Sequence, residues 1–344
     1  MKNRNNAIDA WKGIAIISVI GIHACEPSIL MSFGDPNHLV GLLFRGVFNF
    51  AVGLFFAFSG YFSPDIERLK ECGIFRYYYN RLLPIWIPYF LWTCLYLLLN
   101  DWHALLNIFR LTKALLLGTG IGIGYFVIVL SSLIVIHPLL AKAGKGRALQ
   151  IGALLSAVSV AVLYYVRLRY HDHPYARFPF TALPFTTWAV FFYLGFYLKG
   201  ERLLGLIRNN SLTVVLVSLF IGNLVESVLL SSYTGVASVA ASQVKATTFL
   251  YTSGVCIYAL IYSPSVLEGN RSLIWIGRRS YVIYLCHMLF LSQVSKILVP
   301  LLHIQIIYIP SAVVASISLA CLCILVAERI LPPIFCSSIL GIKK

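Results

Sequence analysis

The sequence predicts an all-α, polytopic membrane fold, and three observations carry the prediction. First, 59% of the 344 residues are hydrophobic, only 11% are charged, and the mean hydropathy is +0.85. An ordinary soluble domain is about 45–50% apolar and about 25% charged. Second, apolar runs long enough to cross a bilayer, which takes about 20 helical residues, recur along the whole chain. Third, the basic residues fall between these runs with a strong bias to one side. No polar stretch is long enough for a separate soluble domain. One membrane domain over residues 1–344, with no appended soluble domain, is expected.

Ten spans are placed, at 7–26, 39–62, 82–100, 120–141, 148–166, 180–199, 211–231, 245–263, 280–302 and 306–329. The first carries Asp9 and Lys12 at its start and lacks a small-residue cleavage site, so it reads as a retained helix and not as a signal peptide. The run 104–118 is short and contains Arg110 and Lys113, which suits an interfacial or re-entrant segment. With ten crossings, seventeen of the 27 Lys and Arg residues lie on the side of the N-terminus, five lie opposite in outer loops (Arg110, Lys113, Arg167, Arg169 and Arg177) and five lie within spans. The positive-inside rule then puts both termini in the cytoplasm. An eleventh crossing would scatter the charges.

A net charge of +15 in a soluble protein would suggest nucleic acid. Here the basic residues sit in short loops with no stacking platform. Topology and the headgroups of membrane lipids account for them, and no nucleic-acid partner is expected. The eight cysteines form no CxxC pair and fall mostly inside apolar runs, as small buried hydrophobes do. No metal site is expected.

Ionisable residues inside a membrane are costly and default to a functional hypothesis. In "WKGIAIISVIGIH", Lys12 and His23 stand eleven residues apart. That is about three helical turns, so both lie on one face, about 16 Å apart along the axis. Arg45, Lys245, Lys296 and Arg329 are the other in-span bases; Asp9, Glu26, Glu226 and Glu328 are the acids. Two readings stand side by side. His23, Glu26, Arg45, Glu226 and Lys245 gather in a polar cavity opening outward, or they are separate anchors that snorkel to the interface. Imidazole exchanges protons near neutral pH, and Glu26 is within helical reach to orient it or merely caps the helix end. His287 in "YVIYLCHM" is read as a structural histidine bonded across helices or as a second catalytic one. His38, His103, His137 and His303 are placed in loops or at span ends. His171 and His173 flank Asp172 in an outer loop without a third ligand.

Five stretches in this order resemble the integral-membrane acyltransferase 3 family. They are "IDAWKGIAIISVIGIH", with its basic residue, ten-residue gap and histidine; "GLFFAFSGYF", with Ser59 in its Ser-Gly-Tyr ending; "YNRLLPIWIPY"; "WAVFFYLGFYL"; and "WIGRRSYVIYLCHM", which holds Tyr284 and His287. The resemblance runs from about residue 7 to 332. One departure is visible. The family often has Arg-x-x-Arg before its third span, whereas here Arg81 is followed by Pro84 at the second position. Arg76, Arg278 and Arg279 are the bases available to substitute.

The resemblance implies a bacterial inner-membrane O-acetyltransferase. Its donor would be cytoplasmic acetyl-CoA, and its acceptor a sugar hydroxyl on a surface polysaccharide or lipid-linked precursor. Stand-alone members of similar size modify O-antigen, enterobacterial glycan or nodulation factors. His23, supported by Glu26, would act as general base or as a transient acyl carrier. Lys12, Arg76, Arg81, Arg278 and Arg279 would serve the donor's phosphates, for which guanidinium is well suited. Arg45, Glu226, Lys245, Ser59, Tyr284 and His287 would line or support the acceptor side. The rival reading is a transporter or flippase for a glycan-related substrate. It calls for ion-coupled carboxylates near the midplane, where only Glu226 lies deep. A binding protein without turnover is a further alternative, against which the Lys12–His23 spacing argues.

Overall fold

The computed structural model describes residues 5–170, 173–199, 209–261, 265–338 and 340–341, and every regular element among them is helical. In chain order the α-helices are α1 (Asn6–Ala24), α2 (Glu26–Ile29), α3 (Pro36–Phe48), α4 (Ala51–Tyr61), α5 (Ile66–Cys72), α6 (Ile74–Asn100), α7 (Ile108–Leu117), α8 (Tyr125–Ala141) and α9 (Lys145–Arg169). There follow α10 (Phe185–Leu198), α11 (Asn209–Thr234), α12 (Ala237–Ala240), α13 (Ala246–Ile261), α14 (Ser265–Gly269), α15 (Arg271–Arg278), α16 (Ser280–Leu301), α17 (Gln305–Ile330) and α18 (Pro333–Ser338). His171, Asp172 and the basic residues of both extreme termini lie outside the described residues.

Among the described residues, seven helical segments are long and apolar enough to cross a membrane: α1, α3 with α4, α6, α9, α11, α16 and α17. The other three expected spans fall on α8, α10 and α13, of 17, 14 and 16 residues, short of the usual 20 or so. The run 104–118 holds the ten-residue α7, about 15 Å long, too short to cross. The expected second span is interrupted. Asn49 and Phe50 separate α3 from α4, and the buried Asn49 amide turns to the carbonyls of Ala241 and Ser242, 3.5 Å from each.

Local chemistry sets the helix starts. Asn5 caps α1 by accepting from the Ile8 amide, and Asp35 caps α3 ahead of Pro36, whose missing N–H costs nothing in the first turn. Pro84 and Pro88 lie inside α6. A neighbouring helix supplies a partner there, Tyr281 of α16 donating to the Ile85 carbonyl at 2.6 Å, and Tyr89 of α6 in turn donates to the Leu115 carbonyl of α7 at 2.8 Å.

Helix α1 is the most enclosed of the long helices, with 78% of its apolar window buried against 17% for α9 and α11. It packs on α15, α16, α17, α4 and α3. An aromatic layer joins α4, α8, α10 and α13. Phe56 stacks on Phe126 at 4.8 Å, and Trp188 and Phe191 reach Phe249 at 6.3 and 4.9 Å.

Two backbone approaches hold the bundle's centre. A Cβ on Gly60 of α4 would land on the Phe192 carbonyl of α10, and one on Gly195 of α10 on the Ala57 carbonyl of α4. The second joins α1 to α15, where Gly13 faces the Leu273 carbonyl and Gly277 that of Asp9. Small residues that let backbones touch are what membrane helices use in place of a hydrophobic drive. Gly60→Val must therefore move a helix and not a side chain, and overpacking of this kind costs about 1–3 kcal/mol or more. We expect it to lose the monodisperse peak in detergent size-exclusion. Gly146→Ala, which meets nothing within 4 Å, should keep it.

Candidate active site: two cavities joined along the first helix

Two cavities lie end to end beside α1. The larger, about 820 Å³, is lined by His23, Glu26, Arg45, Tyr125, Arg167, Arg177, Trp188 and Gln243 among others. The smaller, about 280 Å³, is lined by Asp9, Lys12, Ser59, Arg81, Pro84, Arg278 and Tyr281 among others. Val19 of α1, Val52 of α4, Phe126 of α8 and Tyr284 of α16 belong to both walls and form the partition. The Tyr284 hydroxyl is tied to the Ile123 carbonyl. One face of α1 thus presents Lys12 to one cavity and His23 to the other.

In the larger cavity His23 Nδ1 lies 3.1 Å from Glu26 Oε1. An ionised carboxylate only accepts, so in the neutral imidazole the proton sits on Nδ1 and Nε2 carries the free lone pair. The pair is open to the cavity, with side-chain exposures of 19% for His23 and 58% for Glu26. The His287 ring is 5.6 Å from that of His23. Its Nδ1 faces two acceptors, the Tyr284 carbonyl at 2.7 Å and the Ile283 carbonyl at 3.2 Å, so that nitrogen carries its proton. His287 Nε2 is buried without a hydrogen-bond partner. His287 lines neither cavity but backs the His23 ring.

Arg45 of α3 donates through Nη1 to the Ile22 carbonyl at the end of α1 and through Nε to the Ala241 carbonyl at 3.2 Å. Arg167, expected in an outer loop, instead belongs to the last turn of α9 and is buried, with bonds to Ser242 Oγ and the Ser238 carbonyl. Glu226 and Lys245 line neither cavity. Glu226 accepts from the Tyr164 hydroxyl at 2.5 Å and from Thr247, and the buried Lys245 ammonium donates to Ser227. They are tied into the packing of α9, α11 and α13.

In the smaller cavity the buried Asp9 carboxylate pairs with Lys12 at 3.1 Å and with Arg278 at 3.2 Å. Arg278 also donates to Asn6 Oδ1 at 3.1 Å, and the Lys12 ammonium sits 5.1 Å from the centre of the Phe62 ring. Arg81 donates to the Ser59 carbonyl at 3.0 Å, to Ser59 Oγ at 3.1 Å and to Ser63 Oγ at 3.3 Å. Pro84, at the position where the family often has a second arginine, lines the same cavity one turn on. Arg76 is exposed and lines neither cavity. Arg279 is held by Glu328 at 2.7 Å, lies over the Trp275 ring at 4.1 Å, and lines neither.

Two histidines placed by sequence in loops or at span ends are buried. His38 bonds the Ile29 carbonyl and Ser231 Oγ, and His137 bonds the Pro64 carbonyl. Sequence reasoning did not single out Tyr125, Trp188 and Gln243, or the three apolar residues of the partition. Each sits in a stretch whose residue types read equally well as core.

A family model described as an acyltransferase domain matches residues 5–328. No protein of curated function and no solved structure matches the chain. Its helices, long and apolar enough for repeated crossings, fit that match, and the chain belongs to the acyltransferase 3 family, a multi-pass membrane protein with an acyltransferase domain.

Proposed function

We propose that the protein is a bacterial inner-membrane O-acetyltransferase with ten crossings and both termini in the cytoplasm. It moves an acetyl group from cytoplasmic acetyl-CoA to a sugar hydroxyl of a surface polysaccharide or its lipid-linked precursor. One observation carries the reading. The His23–Glu26 pair, with a free Nε2, faces the larger cavity, and the same helix delivers Lys12 to a smaller, basic cavity across a thin partition.

The smaller cavity, about 280 Å³, falls just below the usual ligand sites of about 300–1,000 Å³. That suits an acyl-pantetheine arm, with Arg81, Lys12 and Arg278 nearest to the phosphates outside. His23 Nε2 removes the hydroxyl proton as the sugar oxygen attacks the thioester carbonyl. A C–O bond forms, the C–S bond breaks, and the proton passes from His23 to the departing CoA thiolate. In the covalent variant Nε2 itself takes the acetyl group from sulfur, an N–C bond forming as the C–S bond breaks, and yields it to the alcohol, whose proton ends on the CoA thiolate. Glu26 steadies the ring in both. The test is transfer of label from acetyl-labelled CoA to a base-labile ester in the surface-glycan fraction of membranes carrying the protein. Labelled protein trapped by acid quench before acceptor is added identifies the covalent variant.

Glu26→Gln should lower the transfer rate by about 10–100-fold, the worth of a hydrogen bond to a charged partner at about 1.5–3 kcal/mol. The loss should appear in kcat with little change in the KM for acetyl-CoA, because Glu26 does not line the donor cavity.

A further inference from the structure

We propose that the acceptor enters the larger cavity carrying an oxyanion, a phosphate or a carboxylate, and that Arg45 and Arg167 hold it. This rests on reading that cavity as the acceptor side.

The charge balance is the first argument. The cavity wall carries three arginines, Arg45, Arg167 and Arg177, and a single carboxylate, Glu26, which is already bonded to His23. Arg45 and Arg167 are bonded to carbonyl oxygens and a serine hydroxyl, which orient a guanidinium; Arg45 also feels the charge of Glu26, whereas among the described residues no carboxylate acts on Arg167. Arg167 is only 8% exposed, and its Nε is buried without a partner. A buried cation without an opposite charge is expensive, so a wall that buries Arg167 and sets the half-buried Arg45 on the same segment is shaped for a ligand that supplies the anion.

Convergence is the second argument. Arg45 comes from α3 and Arg167 from α9, yet both grip the same short segment. Arg45 binds the Ala241 carbonyl, and Arg167 binds the Ser238 carbonyl and Ser242. The segment thus brings two guanidinium groups to the wall of one cavity, and guanidinium is well suited to phosphate or carboxylate. Both are ordered before a ligand arrives, so little freedom is lost on binding. A volume of about 820 Å³ admits a sugar with its anionic substituent. Trp188 and Tyr125 on the wall offer apolar faces to a sugar ring.

The full chain is purified into phosphatidylcholine nanodiscs and titrated calorimetrically with inorganic pyrophosphate, glucuronate and glucose. We expect at least one anion to bind and glucose not to. We expect Arg167→Gln and Arg45→Gln each to weaken the anion by about tenfold or more, the worth of one charge-assisted hydrogen bond. Arg167→Lys should recover part of the loss. Pyrophosphate as the ligand points to the linkage of a lipid carrier, glucuronate to an acidic sugar; either supports the proposal. Glucose binding as tightly as the anions, no anion binding to folded wild type, or affinity unchanged in both glutamine variants would overturn it. Arg45 sits on a different helix, so its variant keeps the test open if Arg167→Gln does not fold. In the same discs, given acetyl-labelled CoA and the surface-glycan fraction, ester formation on the glycan is compared between wild type and His23→Ala. Its absence alongside Arg-dependent anion binding would defeat the acetyltransferase reading and not the anion site; the reverse pattern would defeat the anion site alone.

Discussion

His23→Ala should lower acetyl transfer by about 10²–10⁴-fold, the usual contribution of a positioned general acid or base. The protein should stay folded. The imidazole is partly open to the cavity, and its hydrogen bond goes to the more exposed Glu26, so no buried group is stranded when it is removed. The measurement is the rate of label transfer at expression matched by blot, with size-exclusion to check the fold. Equal transfer in wild type and variant would remove His23 from the chemistry and pass the role to His287. That imidazole has a lone pair with no partner in the protein and lies directly behind.

The second large effect is on stability. Asp9 is 3% exposed, in the first turn of α1, with Lys12 and Arg278 on its two oxygens. Removing one partner of a buried ion pair costs about 3–5 kcal/mol, because the remaining charge is left uncompensated. Here two cations would face each other across the tightest contact of α1 with α15. Water reaches Lys12 and Arg278 in part, at 25% and 32% exposure, which places the expected loss near the lower end. A carboxylate also belongs at the positive end of a helix dipole. Asp9→Ala should therefore lower the midpoint of thermal unfolding in detergent by several degrees. Asp9→Ala with Arg278→Ala should lose less than the sum of the single changes, since the two share one interaction. Strict additivity would show that the pair is not coupled.

Much of the helical framework was legible because lipid forces it. Apolar runs of about twenty residues have few ways to satisfy their backbone other than as helices. Within α1 the eleven-residue spacing of Lys12 and His23 was enough to predict a shared face, and the three-residue step put Glu26 within reach of the ring without deciding between that contact and a cap at the helix end. Those are properties of one helix. What was not legible depended on neighbours. Glu226 and Lys245 read as cavity groups because depth can be estimated from a sequence and direction cannot. Both turn to Tyr164, Thr247 and Ser227. Arg167 read as a loop charge because its partners lie about seventy residues on, at Ser238 and Ser242. The break after α3 carries neither glycine nor proline, only Asn49, whose partners are equally remote.

The partition between the two cavities has a consequence for the cell as well as for the reaction. If they open to opposite sides of the membrane, a continuous watery path between them would be a leak. Protons and small ions would run down their gradients through every copy of the enzyme. Val19, Val52 and Phe126 give such a path nothing to hydrate it, and the hydroxyl of Tyr284, its one polar group there, is already spent on the Ile123 carbonyl. Those side chains act as electrical insulation. On the proposed function an acyl group, being apolar, would pass between them where an ion would not, and the wall that admits the cargo would spare the membrane's ion gradients.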